Sequence, residues 1–545
     1  MNNRMSAEAS ASPDSSAVGS GAVVSTSVVS VAAEVWIDAD GYRGDVVAVL
    51  NSVRSAGFPA ERTLVMTNNR AGLTAAADAV CTQSGVTVVT ATAAVLNARL
   101  ARTTSDRVIW VRGGAVHPDL MSTVGAFCER FDTVDVVYGD SVEPSGHPVR
   151  RPLFSPLRLR SHDYLGAVVV FRVSMLKTVG GFRAAARGAY VLDLVLRAQV
   201  AGDEVELLPV TLATADPASS TIHDDAAETA VVARHLRNLG SIATIETVLP
   251  GVRRVRYAII DTPLVSIVIP TRGSRAVIAG RERTLVVEAV RGIMEHSTYR
   301  NIEIVVVADA DTPEPVIESL EEICGNSLRL VLWDAPFNFS AKVNRGAAVA
   351  SGQYLLILND DVEIVSGDWI DTMVGLIQQP GVGLVGAELF FEDSMIQHGG
   401  QLYAGGQVGH AAFEWPGGVD DPIWSLHSDR EVSGVTAACL LIARDLFETV
   451  GGMTSELPGN YNDVDLNLKV RETGLVAVYS PWARLYHFES KTRDPRILAS
   501  DTATLRARWA SRIEVEMYSR SLMVGPSSRA VSRLPQSSYK AVRGC

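Results

Sequence analysis

The stretch Leu264-Val-Ser-Ile-Val-Ile269 decides the fold, because it is a continuous apolar run of the kind that forms a buried strand. Pro270 closes the run, a helical stretch follows to about His296, and Ile302–Val307 is the next strand candidate. Strands that alternate with helices in this way are typical of βαβ units around a parallel sheet. The sequence therefore predicts an α/β fold for this half of the chain.

The same alternation begins near Val35 in the first half of the chain. Helical stretches over Leu73–Ser84 and Ala93–Arg102 alternate there with strand candidates at Leu64–Met66, Val86–Val89 and Arg107–Val111. The two halves also share a longer pattern. Gly166–Phe182 and Ala437–Met453 each contain an apolar strand, an arginine turn, a short helix and a Gly-Gly stop. Such repetition at a nearly constant offset predicts a duplication rather than a chance likeness.

The predicted organisation is two tandem domains, residues 31–258 and 259–495. A leader of residues 1–30 precedes them, without the charged start, apolar middle and cleavage site of a signal peptide. A tail of residues 496–545 follows them. The basic stretch Arg253–Arg256 is predicted to connect the two domains.

Composition excludes several classes of protein. Of the 545 residues 47% are hydrophobic and the net charge is −12, so a globular core is expected and a general nucleic-acid binder is not. Five scattered cysteines without a Cys-x-x-Cys pair indicate neither a disulfide framework nor a zinc cluster. Apolar runs fall far short of the roughly 20 residues of a membrane span. We therefore expect a cytoplasmic protein, soluble or peripheral at the inner face of the plasma membrane.

The richest cluster of chemical groups is Tyr354-Leu-Leu-Ile-Leu-Asn-Asp-Asp-Val-Glu363. Its apolar strand ends in Asn359-Asp360-Asp361, and ligands of open α/β sheets bind at the carboxyl ends of strands. Two carboxylates there suit a hard divalent cation, which completes its shell with water and phosphate oxygens. An Asp-rich turn after a strand is the open alternative.

Four further segments complete a pattern. They are Phe337-Asn-Phe-Ser340, Gln397-His-Gly399, Asn462-Asp-Val-Asp-Leu466 and Tyr486-His-Phe-Glu-Ser490. With the Val-Ser-Ile-Val-Ile-Pro-Thr start and the Asn-Asp-Asp motif, residues 263–493 resemble family 2 glycosyltransferases of the GT-A fold. The resemblance is to bacterial rhamnosyl- and galactofuranosyl-type enzymes in particular. The first half resembles the degenerate GT-A-like copy found upstream in such tandem proteins.

The resemblance implies an inverting, metal-dependent transfer. Asp361 and His487 would hold Mn²⁺ or Mg²⁺ against the diphosphate of the donor, and Asp360 would lie beside the nucleotide ribose or assist the metal. Asp463 would be the general base that takes the proton of the acceptor hydroxyl. Two alternatives stay open from the residues alone: His487 as a buried core histidine, and Asn462 or Asp463 as a helix N-cap.

The donor implied is a UDP- or dTDP-sugar, and the acceptor is a hydroxyl of a cell-surface glycan or a polyprenyl-linked glycan. The nucleotide-binding candidates are Pro270, Thr271, Arg272, Asn344 and Asp309, the last because Ala308 stands where the family carries an aspartate. The acceptor-binding candidates are His398, His410 and Trp415. Core or turn roles remain open for these three side chains.

The first copy lacks the predicted catalytic groups. Arg112-Gly113-Gly114 aligns with Asn359-Asp360-Asp361, Val191 falls at the position of Asp463, and Asp140 is expected in a turn. We expect this copy to be inactive and to serve as a scaffold, as a dimerisation surface of a homo-oligomer or as an acceptor-binding platform.

The tail predicts a helix over Ala499–Tyr518 followed by basic coil. Its local excess of Lys and Arg could contact anionic lipid, and a solvated tail is the open alternative. Two other functions stay open for the whole chain. One is an inactive sugar-nucleotide-binding or scaffold protein, and the other is a metal-dependent phosphoester hydrolase.

Overall fold

A computed structural model describes residues 32–40, 45–69, 73, 75–214, 223–421, 423–488 and 497–524. The predicted leader, the end of the Tyr-His motif at Glu489-Ser490 and the basic coil after residue 524 lie outside these residues. The architecture is mixed α/β, as the sequence predicts, and it is built around two large sheets.

The N-terminal sheet has the strand order β3-β2-β1-β4-β8-β6-β9-β5, with β7 paired to β6. Its strands are β1 (Ala33–Asp38), β2 (Thr63–Thr67), β3 (Thr87–Thr90), β4 (Arg107–Val111), β5 (Ala115–Val116), β6 (Val136–Val142), β7 (Pro148–Val149), β8 (Val168–Arg172) and β9 (Val205–Thr214). The helices of this region are α1 (Val46–Ser55), α2 (Ala75–Ser84), α3 (Ala93–Arg102), α4 (Leu120–Arg130), α5 (Pro156–Ser161), α6 (Val173–Thr178), α7 (Tyr190–Ala201) and α8 (Asp225–Asn238). A hairpin of β10 (Ala243–Leu249) and β11 (Val252–Tyr257) follows them.

The C-terminal sheet has the order β16-β15-β12-β17-β24-β19-β25-β18, with β20 paired to β19 and β23 to β25. Its strands are β12 (Val265–Thr271), β15 (Ile302–Asp309), β16 (Leu328–Trp333), β17 (Tyr354–Leu358), β18 (Val362–Ile364), β19 (Val382–Phe390), β20 (Ile396–His398), β23 (Arg430–Val432), β24 (Cys439–Ala443) and β25 (Val476–His487). Two small hairpins are β13 (Arg275–Ile278) with β14 (Arg281–Thr284), and β21 (Gln401–Ala404) with β22 (Gln407–His410). The helices are α9 (Leu285–His296), α10 (Glu314–Cys324), α11 (Phe339–Val349), α12 (Trp369–Ile377), α13 (Arg444–Thr449), α14 (Asn462–Glu472) and α15 (Ala499–Trp509).

The two sheets repeat one another strand by strand. Each central strand, β1 or β12, lies between two parallel neighbours, and the next strand outward, β8 or β24, is antiparallel. The amide of Arg112 donates to Ala167 (2.8 Å) just after β4, and the amide of Asn359 donates to Ala438 (3.1 Å) just after β17. This shared register aligns Arg112 with Asn359, as the sequence predicts. The division of the chain into two duplicated domains stays a prediction.

One apolar core connects the two sheets. A single cluster of buried side chains includes Trp36 and Trp110 of the N-terminal sheet and Ile267 and Trp369 of the C-terminal region. Polar contacts cross the same boundary, since the buried carboxylate of Glu431 accepts the amide of Leu157 (2.8 Å) at the start of α5. Burial of this shared surface contributes roughly 25 cal/mol for each Å² of apolar area removed from water.

Three local predictions differ from the structure. Arg253–Arg256 is no connector but part of strand β11, because buried Arg253 pairs with Glu228 and Arg254 donates to Asp368 (2.7 Å). Asp140 is no turn residue but a buried member of β6, where Arg520 donates to its carboxylate (2.9 Å).

The helix of the tail is also shorter than predicted, because α15 ends at Trp509. The indole of Trp509 and the guanidinium of Arg508 both donate to Asp465 (2.8 and 2.7 Å). After this anchor the chain turns, and Glu514 accepts the amide of Gly405 (2.8 Å) beside the β21–β22 hairpin. Across the part of the chain that the structure describes, no helix is long and apolar enough to cross a membrane.

Candidate functional site

A cavity of about 740 Å³ lies at the carboxyl ends of β12 and β17. Loops before α14 and the start of α15 form its other walls. Eight sequence-predicted site residues line it: Pro270, Thr271, Arg272, Asp360, Asp361, His410, Asp463 and His487. Four predicted residues lie outside its wall: Asp309, Asn344, His398 and Trp415. The structure thus brings the predicted metal, base and most nucleotide-binding residues together around one space.

Asp361 and His487 are neighbours because of strand register. β18 and β25 run antiparallel with Val362 opposite His487, and the amide of Phe488 donates to the carbonyl of Asp361 (2.9 Å). This pairing brings the imidazole Nε2 of His487 to 3.1 Å from Oδ1 of Asp361. A carboxylate oxygen and an imidazole nitrogen therefore face each other beside the cavity.

The orientation of the His487 ring is set by Gln397, a residue that the sequence analysis quotes in a motif without giving it a role. Nδ1 of His487 lies 2.6 Å from Oε1 of Gln397, and an amide oxygen can only accept a hydrogen bond. Nδ1 therefore donates this hydrogen bond, and Nε2 is the ring nitrogen that lies nearest to Asp361. The amide Nδ2 of Asn359, at 2.9 Å, donates to the same Nε2. A buried partner that orients an imidazole in this way is typical of histidines that bind metals.

These donors fit a divalent cation of borderline softness. One carboxylate and one imidazole are ligands that Mn²⁺ accepts, whereas Mg²⁺ prefers oxygen alone. Among the described residues no group of three or more His, Cys, Asp or Glu side chains is arranged to hold a metal. A cation at Asp361 and His487 would therefore take its remaining ligands from water and from a bound phosphate.

Asp360 is turned toward the first strand of the sheet rather than toward His487. The hydroxyl of Thr271 donates to its Oδ2 at 2.6 Å. Burial, together with the charge of the adjacent Asp361, raises the pKa of Asp360 to about 7. Two neighbouring carboxylates thus have different environments, and Asp361 is the one that faces the imidazole.

Lys342 is a site residue that the sequence analysis missed. Its side chain is buried, lines the cavity, and donates from Nζ to the carbonyl of Thr271 (2.7 Å) and to Oδ1 of Asp309 (2.7 Å). Asp309 in turn lies 3.8 Å from the guanidinium of Arg272. Asp309 itself does not line the cavity, but Lys342 and Arg272, the two cationic side chains beside it, do. A lysine on the inner side of α11, between apolar residues, was the signal that could have found it.

Asn344 does not face the cavity, because its side chain is occupied elsewhere. Its amide donates to the carbonyl of Met453 (2.8 Å), and its Oδ1 accepts the amide of the same residue (2.8 Å). Asn97 makes the same two bonds to Phe182 in the first region (2.9 and 2.8 Å). In both halves this pair of hydrogen bonds attaches a helix to a Gly-Gly turn. The bonds to Met453 therefore do not support the predicted contact of Asn344 with a nucleotide.

His398 and Trp415 also lie behind the cavity wall. The ring of Trp415 packs against Phe390 and Ile396 in a small apolar cluster. Nε2 of buried His398 accepts the amide of Thr436 (3.3 Å), so Nδ1 carries the proton and donates to Nδ1 of His410 (2.7 Å). Burial holds the pKa of His398 well below its usual range, so this ring is neutral. Of the three predicted acceptor-binding residues, only His410 lines the cavity.

Asp463 lies in the first turn of α14 and lines the same cavity. Its carboxylate accepts the amide of Val464 (2.8 Å), and the N-cap position belongs to Tyr461. Neither Asn462 nor Asp463 is therefore the N-cap that the sequence left open. Tyr461 adopts a left-handed backbone conformation with φ of 58°, which is uncommon for a residue other than glycine.

The equivalent place in the first region is filled by an ion pair. Arg112 donates to both oxygens of Asp163, one of them at 3.1 Å, and to the carbonyl of Gly166 (2.9 Å). Gly114 has φ of 71°, a conformation that side-chain-bearing residues rarely adopt. The predicted absence of metal-binding carboxylates at Gly113-Gly114 thus coincides with a different backbone and a guanidinium at the strand end.

Residues 266–450 match the sequence model of the family described as "Glycosyl transferase family 2". The chain is 35% identical over 368 residues to "Uncharacterized protein y4gI" of Sinorhizobium fredii (strain NBRC 101917 / NGR234), covering 65% of this chain and 39% of that protein. It is 33% identical over 367 residues to "O-antigen biosynthesis protein RfbC" of Myxococcus xanthus, covering 65% of this chain and 28% of that protein. The chain thus spans less than two fifths of the length of these relatives.

Two solved structures are also similar. One is a mannosyltransferase, PcManGT, from Pyrobaculum calidifontis in complex with GDP-Man and Mn²⁺. It is 15% identical, with 45% of this chain and 69% of that chain covered and a TM-score of 0.31. The other is GalNAc-T7 with UDP, GalNAc and Mn²⁺, at 14% identity, 49% and 52% coverage and a TM-score of 0.37.

The family match agrees with the enzyme class that the sequence predicts for the second half of the chain. It includes Thr271, Asp360 and Asp361, and it ends before Asp463 and His487. The similarity to "Glycosyl transferase family 2" is thus located at residues 266–450, which include the carboxyl ends of β12 and β17.

Proposed function

We propose that this protein is an inverting, metal-dependent glycosyltransferase with a GT-A domain at residues 259–495. It moves a sugar from a nucleoside diphosphate donor to a hydroxyl group of a glycan. The observation that carries this proposal is the meeting of three groups in one cavity: the Asp361 carboxylate, the His487 imidazole oriented by Gln397, and the Asp463 carboxylate. The family match at residues 266–450 supports it.

In this proposal the donor diphosphate lies at the Asp361 end of the cavity. Asp361 and His487 would hold Mn²⁺ or Mg²⁺, which supplies a Lewis acid that offsets the charge of the departing nucleoside diphosphate. Pro270, Thr271 and Arg272 line the nucleoside pocket, and Lys342 holds Asp309 and the Thr271 carbonyl in place behind it. UDP and dTDP are the nucleotides to test first. Rhamnosyl and galactofuranosyl groups are the donor sugars to test first.

Asp463 is the proposed general base. Its carboxylate takes the proton of the acceptor hydroxyl while that oxygen forms a bond to the anomeric carbon of the donor sugar. The bond from this carbon to the diphosphate breaks in the same step, so the configuration inverts.

The proposed acceptor is a surface glycan or a polyprenyl-linked glycan, handled at the cytoplasmic face of the plasma membrane. A relative named for O-antigen biosynthesis supports an acceptor of this kind. We further propose that residues 31–258 are a degenerate GT-A-like copy without catalytic activity. Gly113 and Gly114 at the strand end, and Val191 in place of Asp463, support that part of the proposal.

Calorimetric titration tests the donor site directly. The protein is titrated with UDP and with dTDP, with Mn²⁺ and with EDTA, beside the variant Asp361→Ala. We expect one nucleotide to bind only with the metal and to lose its binding in the variant. Failure of both nucleotides to bind the folded protein would favour the inactive scaffold. Phosphate release from the nucleotide alone would favour the hydrolase.

A further inference from the structure

The C-terminal segment contributes to the cavity although the family match ends well before it. Ile497, Leu498 and Asp501, at the start of α15, line the same cavity as Asp361 and Asp463. Ile497 and Leu498 are each 55% exposed, whereas Asp501 is 2% exposed. A buried carboxylate beside an apolar rim is unusual unless it has a polar partner, because burial of an ionised group is costly.

The partner of Asp501 is in the loop that leads to the proposed base. Nδ2 of Asn460 donates to Oδ2 of Asp501 at 3.1 Å, and Asn460 precedes Asp463 by three residues. The Asp501 carboxylate thus reaches across the cavity wall from α15 to the start of α14. The hydroxyl of Ser500 also donates to Oδ1 of Asp501 at 3.4 Å. A carboxylate has about four lone-pair positions, so these two bonds leave it able to accept another.

The segment is firmly attached to the base-bearing helix. Arg508 and Trp509 of α15 both donate to the buried carboxylate of Asp465, which lies two residues after Asp463. Further along, Arg520 pairs with Asp140 of the N-terminal sheet (2.9 Å), and Leu153 donates its amide to Met517 (2.8 Å). These contacts anchor the segment that carries Asp501 to the helix that carries Asp463 and to the N-terminal sheet.

We propose that Asp501 binds a hydroxyl group of the acceptor sugar next to Asp463, so that the C-terminal segment forms part of the acceptor site. The ligand class follows from the groups present. Sugar hydroxyls donate to carboxylates, and the C–H faces of a sugar pack on apolar side chains such as Leu498 and Tyr461. The proposed metal-binding pair lies at the β-strand ends, whereas Asp463 and Asp501 line the same cavity from α14 and α15, so we assign the acceptor to these two helices. The assignment of the ligand as an acceptor rests on the proposed function.

Glycoside binding tests this inference without turnover. Saturation-transfer NMR is recorded with octyl glycosides of glucose, galactose, N-acetylglucosamine and rhamnose, in the presence of diamagnetic Mg²⁺ and UDP or dTDP. The variants are Asp501→Ala, the isosteric Asp501→Asn, and the control Arg506→Ala, whose side chain is exposed on the same helix. Nucleotide affinity and thermal unfolding are measured for each.

We expect at least one glycoside to bind the wild type and the Arg506→Ala variant. Its affinity should fall at least tenfold in Asp501→Ala and less in Asp501→Asn, with nucleotide affinity within twofold in both. The melting temperature should fall slightly in Asp501→Ala, because the half-buried amide of Asn460 loses its bond to this carboxylate, and stay closer to the wild type in Asp501→Asn. Unchanged glycoside affinity in Asp501→Ala would overturn the inference, as would a wild type that binds none of the glycosides. Joint loss of nucleotide and glycoside binding with a lower melting temperature in both variants would assign Asp501 a structural role instead.

The two proposals fail in different ways. Glycoside binding that depends on Asp501, in a protein that binds neither nucleotide, would remove the proposed transfer reaction and leave the sugar site standing. Nucleotide binding without a contribution from Asp501 to glycoside affinity would remove the inference about Asp501 and leave the proposed donor site standing.

Discussion

The ends of β4 and β17 occupy equivalent places in the two sheets but carry opposite charges. Asn359-Asp360-Asp361 presents carboxylates to a cavity, whereas Arg112 at the matching position is tied to Asp163 and followed by two glycines. The surrounding frame is the same, down to the Asn97 and Asn344 side chains that fasten equivalent turns. The fold is therefore maintained by contacts that differ from those that provide chemistry.

Among the changes that test this comparison, removal of the Asp361 carboxylate should have the largest effect, a loss of sugar transfer. In Asp361→Asn the second sheet end loses the carboxylate that faces His487 and keeps only Asp360, and we expect transfer to fall by at least about a thousandfold. Steady-state transfer assays measure this. Glu363→Gln is the matched control, because it removes a half-exposed carboxylate two residues away that pairs only with Arg283 in the described contacts. Transfer activity near the wild-type level in Asp361→Asn would contradict the proposal that the carboxylates after β17 distinguish the second sheet from the first in catalysis.

Chelation of the metal should reproduce that loss reversibly. We expect EDTA to weaken nucleotide binding at least tenfold and Mn²⁺ to restore it more fully than Mg²⁺, because an imidazole is one of the proposed ligands. Titration calorimetry with His487→Ala as the second arm measures it. Equal restoration by Mg²⁺ in both proteins would show that His487 contributes nothing to the choice of metal.

Disruption of the buried ion pair in the first region should affect stability but not chemistry. Asp163→Asn leaves the buried guanidinium of Arg112 without its charged partner, and we expect the free energy of unfolding to fall by about 3–5 kcal/mol. Chemical denaturation measures the loss, and nucleotide titration of the folded variant should give the wild-type affinity. A selective loss of nucleotide affinity would instead assign the first sheet a direct role in binding.

The smallest effect is expected from the paired asparagines. Asn97→Ala and Asn344→Ala each remove two side-chain bonds to a turn, so each should lower the free energy of unfolding by about 1–3 kcal/mol. Denaturation curves of the two variants should agree, and neither should change nucleotide affinity. Weaker nucleotide binding in Asn344→Ala alone would restore its predicted role as a ligand.

The sequence predicted the elements whose signals are local. Helix α3 (Ala93–Arg102) and strand β4 (Arg107–Val111) lie at the predicted residues, because continuous apolar runs and helical spacing are readable from neighbours along the chain. The same holds for Asp360 and Asp361, which follow an apolar strand directly.

Contacts between distant residues were harder to predict. The side chain of Asn344 fits a ligand and a turn fastener equally well until its contact with Met453 is seen. Lys342 reads as a surface cation until Asp309 and the Thr271 carbonyl surround it. The end of α15 is set by Asp465, a partner 44 residues from Trp509. Such pairings depend on the folded arrangement, so local patterns could not reveal them.

The apolar cluster that runs from Trp36 to Trp369 has a consequence for folding. Two regions that share one core lose their packing together, so heating should unfold the described chain in a single cooperative transition rather than in two steps. Separation of the halves at residue 258 would expose this apolar surface to water and promote aggregation. The N-terminal region would then be needed for the C-terminal region to remain folded, even if the N-terminal region has no catalytic activity.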